Sequence, residues 1–222
     1  MEEIIRAFSR AAETYEDWYR TPLGEYVLRS ELKGLEALLP ESGFGAEIGS
    51  GTGIFAERLT TEDRKVLCVD PSAEMVSQST GRSLPTLLGV AEKPPLKPHV
   101  LDFVYLVTVL EFLVDPMGAL SSLGTLLKSK APLVALVINK ESPWGRAYLD
   151  SSRKEGSLFR HARFYTLKEC MKLLMNIGYK VVSTLMTVNV SPGGVPEEPK
   201  LYTPEERRDA GVFLLKSVPA ND

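Results

Sequence analysis

The sequence predicts an α/β domain with a mostly parallel β-sheet, on three observations. A glycine run, Glu47-Ile48-Gly49-Ser50-Gly51-Thr52-Gly53, separates a short alternating stretch (Phe44, Ala46, Ile48) from residues at helical spacing (Ile54, Phe55, Arg58, Leu59). The next strand-like stretch, Val66-Leu67-Cys68-Val69, ends on an acid, Asp70. From there strand-like and helix-like segments alternate through residue 138, as they do in a sheet built from β-α-β units.

Residues 3–39 read as helix. Ile4, Ile5, Phe8, Ala11, Ala12, Tyr15, Trp18 and Tyr19 are followed by Val27, Leu28, Leu32, Leu35, Leu38 and Leu39. Pro22 and Gly24 divide two helices, and Pro40 stops the second. The second helix is expected to cover one sheet face. Three glycines at alternate positions make neither a good strand nor a good helix, so the 49–53 run marks a place where something approaches the backbone closely. Strand, glycine turn and helix open a nucleotide-binding β-α-β unit, with backbone N–H groups and a helix N-terminus toward the ligand. Asp70 follows by about 20 residues, the separation at which a carboxylate takes the hydroxyls of an adenosine ribose. The competing role for Asp70 is to cap the helix that begins at Pro71-Ser72-Ala73-Glu74.

That helix, Ser72 to Ser79, turns Met75 and Val76 inward, and Pro85 to Leu88 is a short strand before Gly89. Asp102 to Val109 is the most strand-like stretch, apolar enough to be covered on both faces. Asp115-Pro116 opens a helix through Leu127 with Met117, Leu120, Leu123 and Leu127 as its core stripe. Pro132 to Ile138 is a fifth strand; Ser142 to Gly145 reads as a turn, with a short helix over 148–154. Thr166-x-x-Glu169 is a capping box for a helix that Gly178 ends. Tyr179 to Val188 and Gly211 to Val218 are the last strands, joined by a loop long enough to suggest an active-site flap or a disordered segment.

The kind of nucleotide follows from what a dinucleotide fingerprint lacks here. Its third glycine is expected three places after the second, where Ile54 stands, and Glu47 ahead of the run would repel a phosphate. Glycine at 49, 51 and 53 behind Glu47, with Asp70 following, resembles the class I S-adenosylmethionine-dependent methyltransferases, in their type 11-like subgroup. The resemblance covers about residues 30–218 and is strongest from 44 to 116.

It implies a Rossmann-like three-layer sandwich, a seven-stranded, mostly parallel sheet with an antiparallel last strand, and a helical N-terminal lid. One domain, 1–222, would divide into the lid (1–29), a cofactor-binding half (30–140) and a substrate-side half (141–222). The implied cofactor is S-adenosyl-L-methionine, with S-adenosyl-L-homocysteine as product. Gly49, Ser50, Gly51 and Gly53 would cradle it, Glu47 would favour its ammonium, Asp70 would hold the ribose, and Pro71 and Met75 would also bind the cofactor. Ala91-Glu92 matches the loop that frames adenine, and Thr108 and Glu111, in Thr-Val-Leu-Glu-Phe, fall nearest the reacting end. Tyr15 is either a lid contact over the sulfonium or plain packing. His161 is the candidate general base, and Arg160 and Arg163 beside it would suit an anionic acceptor; an acceptor of low pKa needs no base. The Asn/Asp-Pro-Pro-Tyr/Phe run usual in methyltransferases of nucleic-acid bases and protein glutamine is absent after strand four.

Composition narrows partners. With 26 basic and 29 acidic residues the net charge is −3, which carries no bias toward nucleic acid or anionic lipid. Cys68 and Cys170 lie far apart and make no metal spacing, so no metal is expected and both read as buried hydrophobes. An acidic N-terminus with no apolar stretch behind it and no membrane-spanning run lead to a cytoplasmic expectation, as a monomer or homodimer with a small-molecule acceptor. The competing functions are an NAD-linked oxidoreductase on the same kind of sheet and a non-catalytic S-adenosylmethionine-binding module. An RNA or protein methyltransferase is a third.

Overall fold

The computed structural model describes residues 1–220. One seven-stranded sheet runs in the order β3-β2-β1-β4-β5-β7-β6. Its strands are β1 (Gly43–Ile48), β2 (Arg64–Asp70), β3 (Thr86–Leu88), β4 (Phe103–Val107), β5 (Leu133–Ile138), β6 (Tyr179–Thr187) and β7 (Val212–Pro219). The first five pair in parallel; β7 runs antiparallel between β5 and β6, as the resemblance implies.

Among the described residues seven α-helices surround it: α1 (Glu2–Ala11), α2 (Pro22–Leu38), α3 (Ile54–Leu59), α4 (Ala73–Gly81), α5 (Pro116–Leu126), α6 (Pro143–Ser152) and α7 (Leu167–Asn176). Burial of β4 on both faces explains its near-continuous apolar run. Val104 and Leu106 pack with α5 and α7 through Leu120, Leu123 and Leu174, whereas Phe103, Tyr105 and Val107 pack with α2 and α3 through Leu35, Leu38 and Phe55. Full burial of residues of this size contributes roughly 1.5–3 kcal/mol each, so the sheet is a rigid platform for whatever stands on its edge.

Several local expectations shift. The first helical stretch ends at Ala11, and the aromatic segment forms a separate 3₁₀ helix, Tyr15–Arg20, before Pro22 starts α2 at its first position. A Cβ on Gly24 would stand 2.0 Å from the Trp18 carbonyl oxygen, so only glycine lets that 3₁₀ helix fold back onto α2. The turn at 142–145 is the opening of α6: Ser142 Oγ accepts from the Gly145 amide and Pro143 is the first helical residue. Met117 is exposed and leaves the α5 core stripe to Leu120, Leu123 and Leu126.

The long 189–211 loop is not a flap over the site. It folds back on α2, where Tyr26 Oη donates to Asn189 Oδ1 at 2.6 Å, Lys33 donates to the Pro199 carbonyl at 2.9 Å, and Arg29 pairs with Glu198 at 2.9 Å. Cys68 and Cys170 are buried and free. No helix among the described residues is long and apolar enough to cross a membrane, and no cluster of described residues could hold a metal ion.

Candidate active site

Strand order reverses between β1 and β4, since β2 and β3 continue to one side and β5, β7 and β6 to the other. A crevice must open beyond the carboxyl ends of strands that diverge in this way. A cavity of about 430 Å³ lies there. Its floor is Ile48 and Gly49 after β1, Asp70 after β2, Thr108 and Val109 after β4, and Ile138 at the end of β5. Its roof is α1, the Tyr15–Arg20 segment, α6 and the 158–161 turn, through Phe8, Tyr15, Trp18, Tyr19, Trp144, Tyr148 and Phe159. No residue of α1 is buried, because its apolar side (Ile4, Ile5, Phe8) faces this hollow rather than the core.

The glycine run makes the β1 rim, and its three glycines do different work. All have positive φ (+68°, +54° and +79°), which disfavours any L side chain. A Cβ on Gly49 would meet Val109 at 2.4 Å, and one on Gly53 would meet Leu84 at 2.7 Å and Ser79 at 2.9 Å. A Cβ on Gly51 would instead find open space, with only Met75 Sδ within reach at 3.9 Å. The loop is held from beneath: Asp70 Oδ2 accepts from the Gly51 amide at 2.8 Å and Oδ1 from the Ser72 amide at 2.9 Å. Burial raises the Asp70 pKa, and these two amides work against that rise. The cap of α4 is Ser72, whose Oγ accepts from the Met75 amide, so Asp70 does not cap the helix.

Of the residues singled out from sequence, Tyr15, Gly49, Gly51, Asp70, Pro71, Met75, Ala91, Glu92 and Thr108 line the cavity. Thr108 holds φ +51° and Val188, also on the wall, φ +63°. Left-handed backbone at β-branched residues costs on the order of 1–3 kcal/mol, and strain of this kind collects at sites.

Five expected residues lie outside the lining. Gly53 is turned toward α4, as its contacts require. Ser50 is buried and points at the Cys68 thiol. Glu47 is 1% exposed beneath the loop, where its Oε2 accepts from Tyr105 Oη at 3.0 Å and the Ala56 amide in the first turn of α3 faces the carboxylate. Burial pushes its pKa up to about 8 against those two donors. The first turn of α3 is thus served from inside by a carboxylate instead of facing a ligand. Glu111 is 1% exposed, its Oε1 accepting from the Ile138 amide at 2.7 Å while Oε2 has no partner; burial raises it to about 7. His161 does not line the cavity; its Nε2 lies 3.8 Å from Glu3 Oε2. Arg160 and Arg163 do not line the cavity either; Arg163 lies over the Tyr165 ring.

Sequence reasoning missed Glu31. It is 4% exposed on α2 and lines the cavity, and burial, then the nearby Glu111, push its pKa up to about 8. Its signal was present: Val27, Glu31 and Leu35 fall at i, i+4 and i+8, which puts a carboxylate in the apolar stripe of the helix. Tyr15 is pushed up to about 12 by burial and then by Glu31, Asp70 and Glu47. No lysine, arginine or histidine is among the residues that line the cavity, whose charged side chains are Glu31, Asp70 and Glu92.

Comparison with known proteins agrees with this geometry. A methyltransferase-domain family is matched by residues 46–135, which run from β1 into β5. A structure from Thermotoga maritima, described as a SAM-dependent methyltransferase and possible histamine N-methyltransferase, superposes with a TM-score of 0.87. The two chains share 30% identity, over 97% of this chain and 99% of that one. An uncharacterised protein of Methanocaldococcus jannaschii is 28% identical over 184 residues, 83% of this chain and 86% of its own length. The magnesium protoporphyrin IX methyltransferase of Synechocystis, solved with bound S-adenosylhomocysteine, shares the fold at a TM-score of 0.60 and 16% identity, over 87% of this chain and 82% of that one.

Proposed function

The chain belongs to the class I S-adenosylmethionine-dependent methyltransferases, and on that premise we propose that it methylates a small-molecule acceptor enclosed in the cavity beyond β1 and β4. The observation that carries this reading is the roof. Aromatic side chains from α1, the Tyr15–Arg20 segment and α6 close over the strand ends and leave a hollow of small-molecule size.

The residues present suit the cofactor. Open space above Gly51 lets a ligand rest on backbone, and Asp70 and Glu92 supply acceptors on the side of β2 and β3. A wall with three acidic side chains and no lysine, arginine or histidine tolerates an ammonium and a sulfonium, whereas it offers the diphosphate of a dinucleotide no basic side chain. The inward occupation of the first turn of α3 by Glu47 argues against NAD in the same sense. We assign Asp70 to the ribose, Gly49 and Gly51 to the methionine portion, Met75 and Ala91-Glu92 to the adenine, and Thr108 to the reacting end. Glu47 acts through the loop it supports.

When bound, S-adenosylmethionine supplies a methyl group already activated on sulfur. The chain's own contribution is alignment and exclusion of water by the aromatic roof. Residues 1–29 act as the lid in this reading, latched where Arg82 binds both carboxylate oxygens of Glu16 at 2.6 and 2.7 Å.

Titration calorimetry with S-adenosylhomocysteine tests the cofactor: one site per chain is expected, with no heat from NADH. Incubation with methyl-tritiated S-adenosylmethionine and a cell extract tests the acceptor. Label is expected in the low-molecular-weight fraction, and label confined to RNA or protein would overturn the small-molecule reading.

A further inference from the structure

We propose that the acceptor is an amine that enters as a cation, with Glu31 as its counter-charge and the rings of Tyr15, Tyr19 and Tyr148 around it. This rests on the reading of the cavity as a methyltransferase site.

Sheet order separates two ends of the hollow. Asp70 and Gly51 stand at the β2–β1 end assigned to the cofactor. Glu31 belongs to the opposite end, beyond β4: its helix α2 packs against β5 and β7, and it lies near Glu111, which is bonded to the Ile138 amide at the end of β5. The carboxyl groups at that end lack basic partners, and burial favours their protonated forms until a cation enters. Glu31 is almost fully buried and accepts no hydrogen bond among the described residues, Glu111 Oε2 is buried without a donor, and no basic side chain lines the wall. Two buried carboxyl groups that repel each other, with one oxygen left empty, call for a cation or for donors that the protein does not supply.

The surrounding surface is suited to a cation as well. Glu31 is felt by Tyr15, Tyr19 and Tyr148, and the ring system is continuous: Trp144 lies tilted beside Tyr148 at 5.7 Å between centroids, and Tyr148 beside Phe159 at 4.3 Å. Aromatic faces beside a carboxylate in a dry pocket favour ammonium over a neutral group of the same shape. They give a carboxylate or phosphate acceptor no basic side chain to pair with.

The test uses the full chain saturated with S-adenosylhomocysteine. Butylamine, benzylamine and phenethylamine are titrated in turn, each against its alcohol and its carboxylate counterpart. At least one amine is expected to bind about tenfold or more tightly than its alcohol, with the carboxylate not binding, as one charge-assisted contact would give. Glu31→Gln is expected to remove the preference of amine over alcohol and to leave affinity for S-adenosylhomocysteine within about twofold.

Equal binding of amine and alcohol, a preference for the carboxylate, or no amine bound would overturn the proposal. So would a Glu31→Gln variant whose main loss is in S-adenosylhomocysteine affinity, since Glu31 would then serve the ammonium of the cofactor. The comparison of amine, alcohol and carboxylate on the unmodified chain decides the matter even if the variant folds poorly. Failure of S-adenosylhomocysteine to bind at all would refute the cofactor reading first, and this proposal with it.

Discussion

Replacing Asp70 by alanine separates two duties of one side chain. In the structure both carboxylate oxygens are already engaged, Oδ2 with the Gly51 amide and Oδ1 with the Ser72 amide, and the group is 6% exposed. Asp70→Ala leaves two donors without an acceptor, and each such orphan costs about 1–3 kcal/mol. Water from the cavity can reach the Gly51 amide, so the expected loss is about 2–4 kcal/mol of unfolding free energy. A domain stable by about 5–15 kcal/mol stays folded under that loss, with a lower urea midpoint and an unchanged m value. Asp70→Asn keeps one oxygen and should lose about half as much. Under conditions where the variant is fully folded, calorimetry should also show S-adenosylhomocysteine bound about 10- to 150-fold more weakly, the loss of one charge-assisted bond of about 1.5–3 kcal/mol. A midpoint equal to wild type would mean that Asp70 does not hold the glycine loop. A shifted midpoint with unchanged affinity would remove the ribose assignment and leave Asp70 a purely structural residue.

Gly51→Ala adds a methyl group to open space, so it should cost about 1–2 kcal/mol of backbone strain yet abolish measurable S-adenosylhomocysteine binding, whereas Gly49→Ala drives a Cβ into Val109 and should be the more destabilising of the two in urea. Stability should fall as pH rises from about 5 to 8. Glu31 and Glu47 are raised to about 8 and Glu111 to about 7, so in that range the folded chain holds protons that the unfolded chain has released, and unfolding becomes easier as they are lost. A urea midpoint that climbs over the same range would contradict the burial of these three acids. Arg82→Ala removes the tie from α4 to Glu16 and Glu57, and hydrogen exchange in residues 8–20 should quicken by about tenfold with little change in the sheet. Exchange as slow as wild type would show that the aromatic roof is held by its ring contacts alone.

Much of the fold was legible because it rests on local, periodic signals. The continuous apolar run of β4, the capping box at Thr166 and the Asp115-Pro116 start of α5 are written within a few residues, and each formed where expected. The glycine run and Asp70 likewise pointed to the crevice, since a backbone that must be approached needs glycine wherever it occurs. What could not be read was which polar residues near the motif in sequence turn away from the cavity. Glu47 and Glu111 sit beside the strand ends yet turn beneath them, one to Tyr105 and the first turn of α3, the other to the Ile138 amide. His161 stood in a promising loop, but the packing of α1 against that turn faces it to Glu3. The 189–211 loop, rich in proline and glycine, looked free and proved to be pinned to α2 by Tyr26 and Lys33.

By itself, then, the order of residues determined the layered sheet, the point where its strands diverge and the chemistry of the glycine rim, because these depend on backbone conformation and short-range pattern. Only the tertiary structure decided that Glu31 joins the site, that three acidic side chains and no lysine, arginine or histidine line it, and that aromatic rings close it. Those facts depend on which side chains from α1, α2 and α6, distant in sequence, share one desolvated space, where burial and like charge set the protonation of each group.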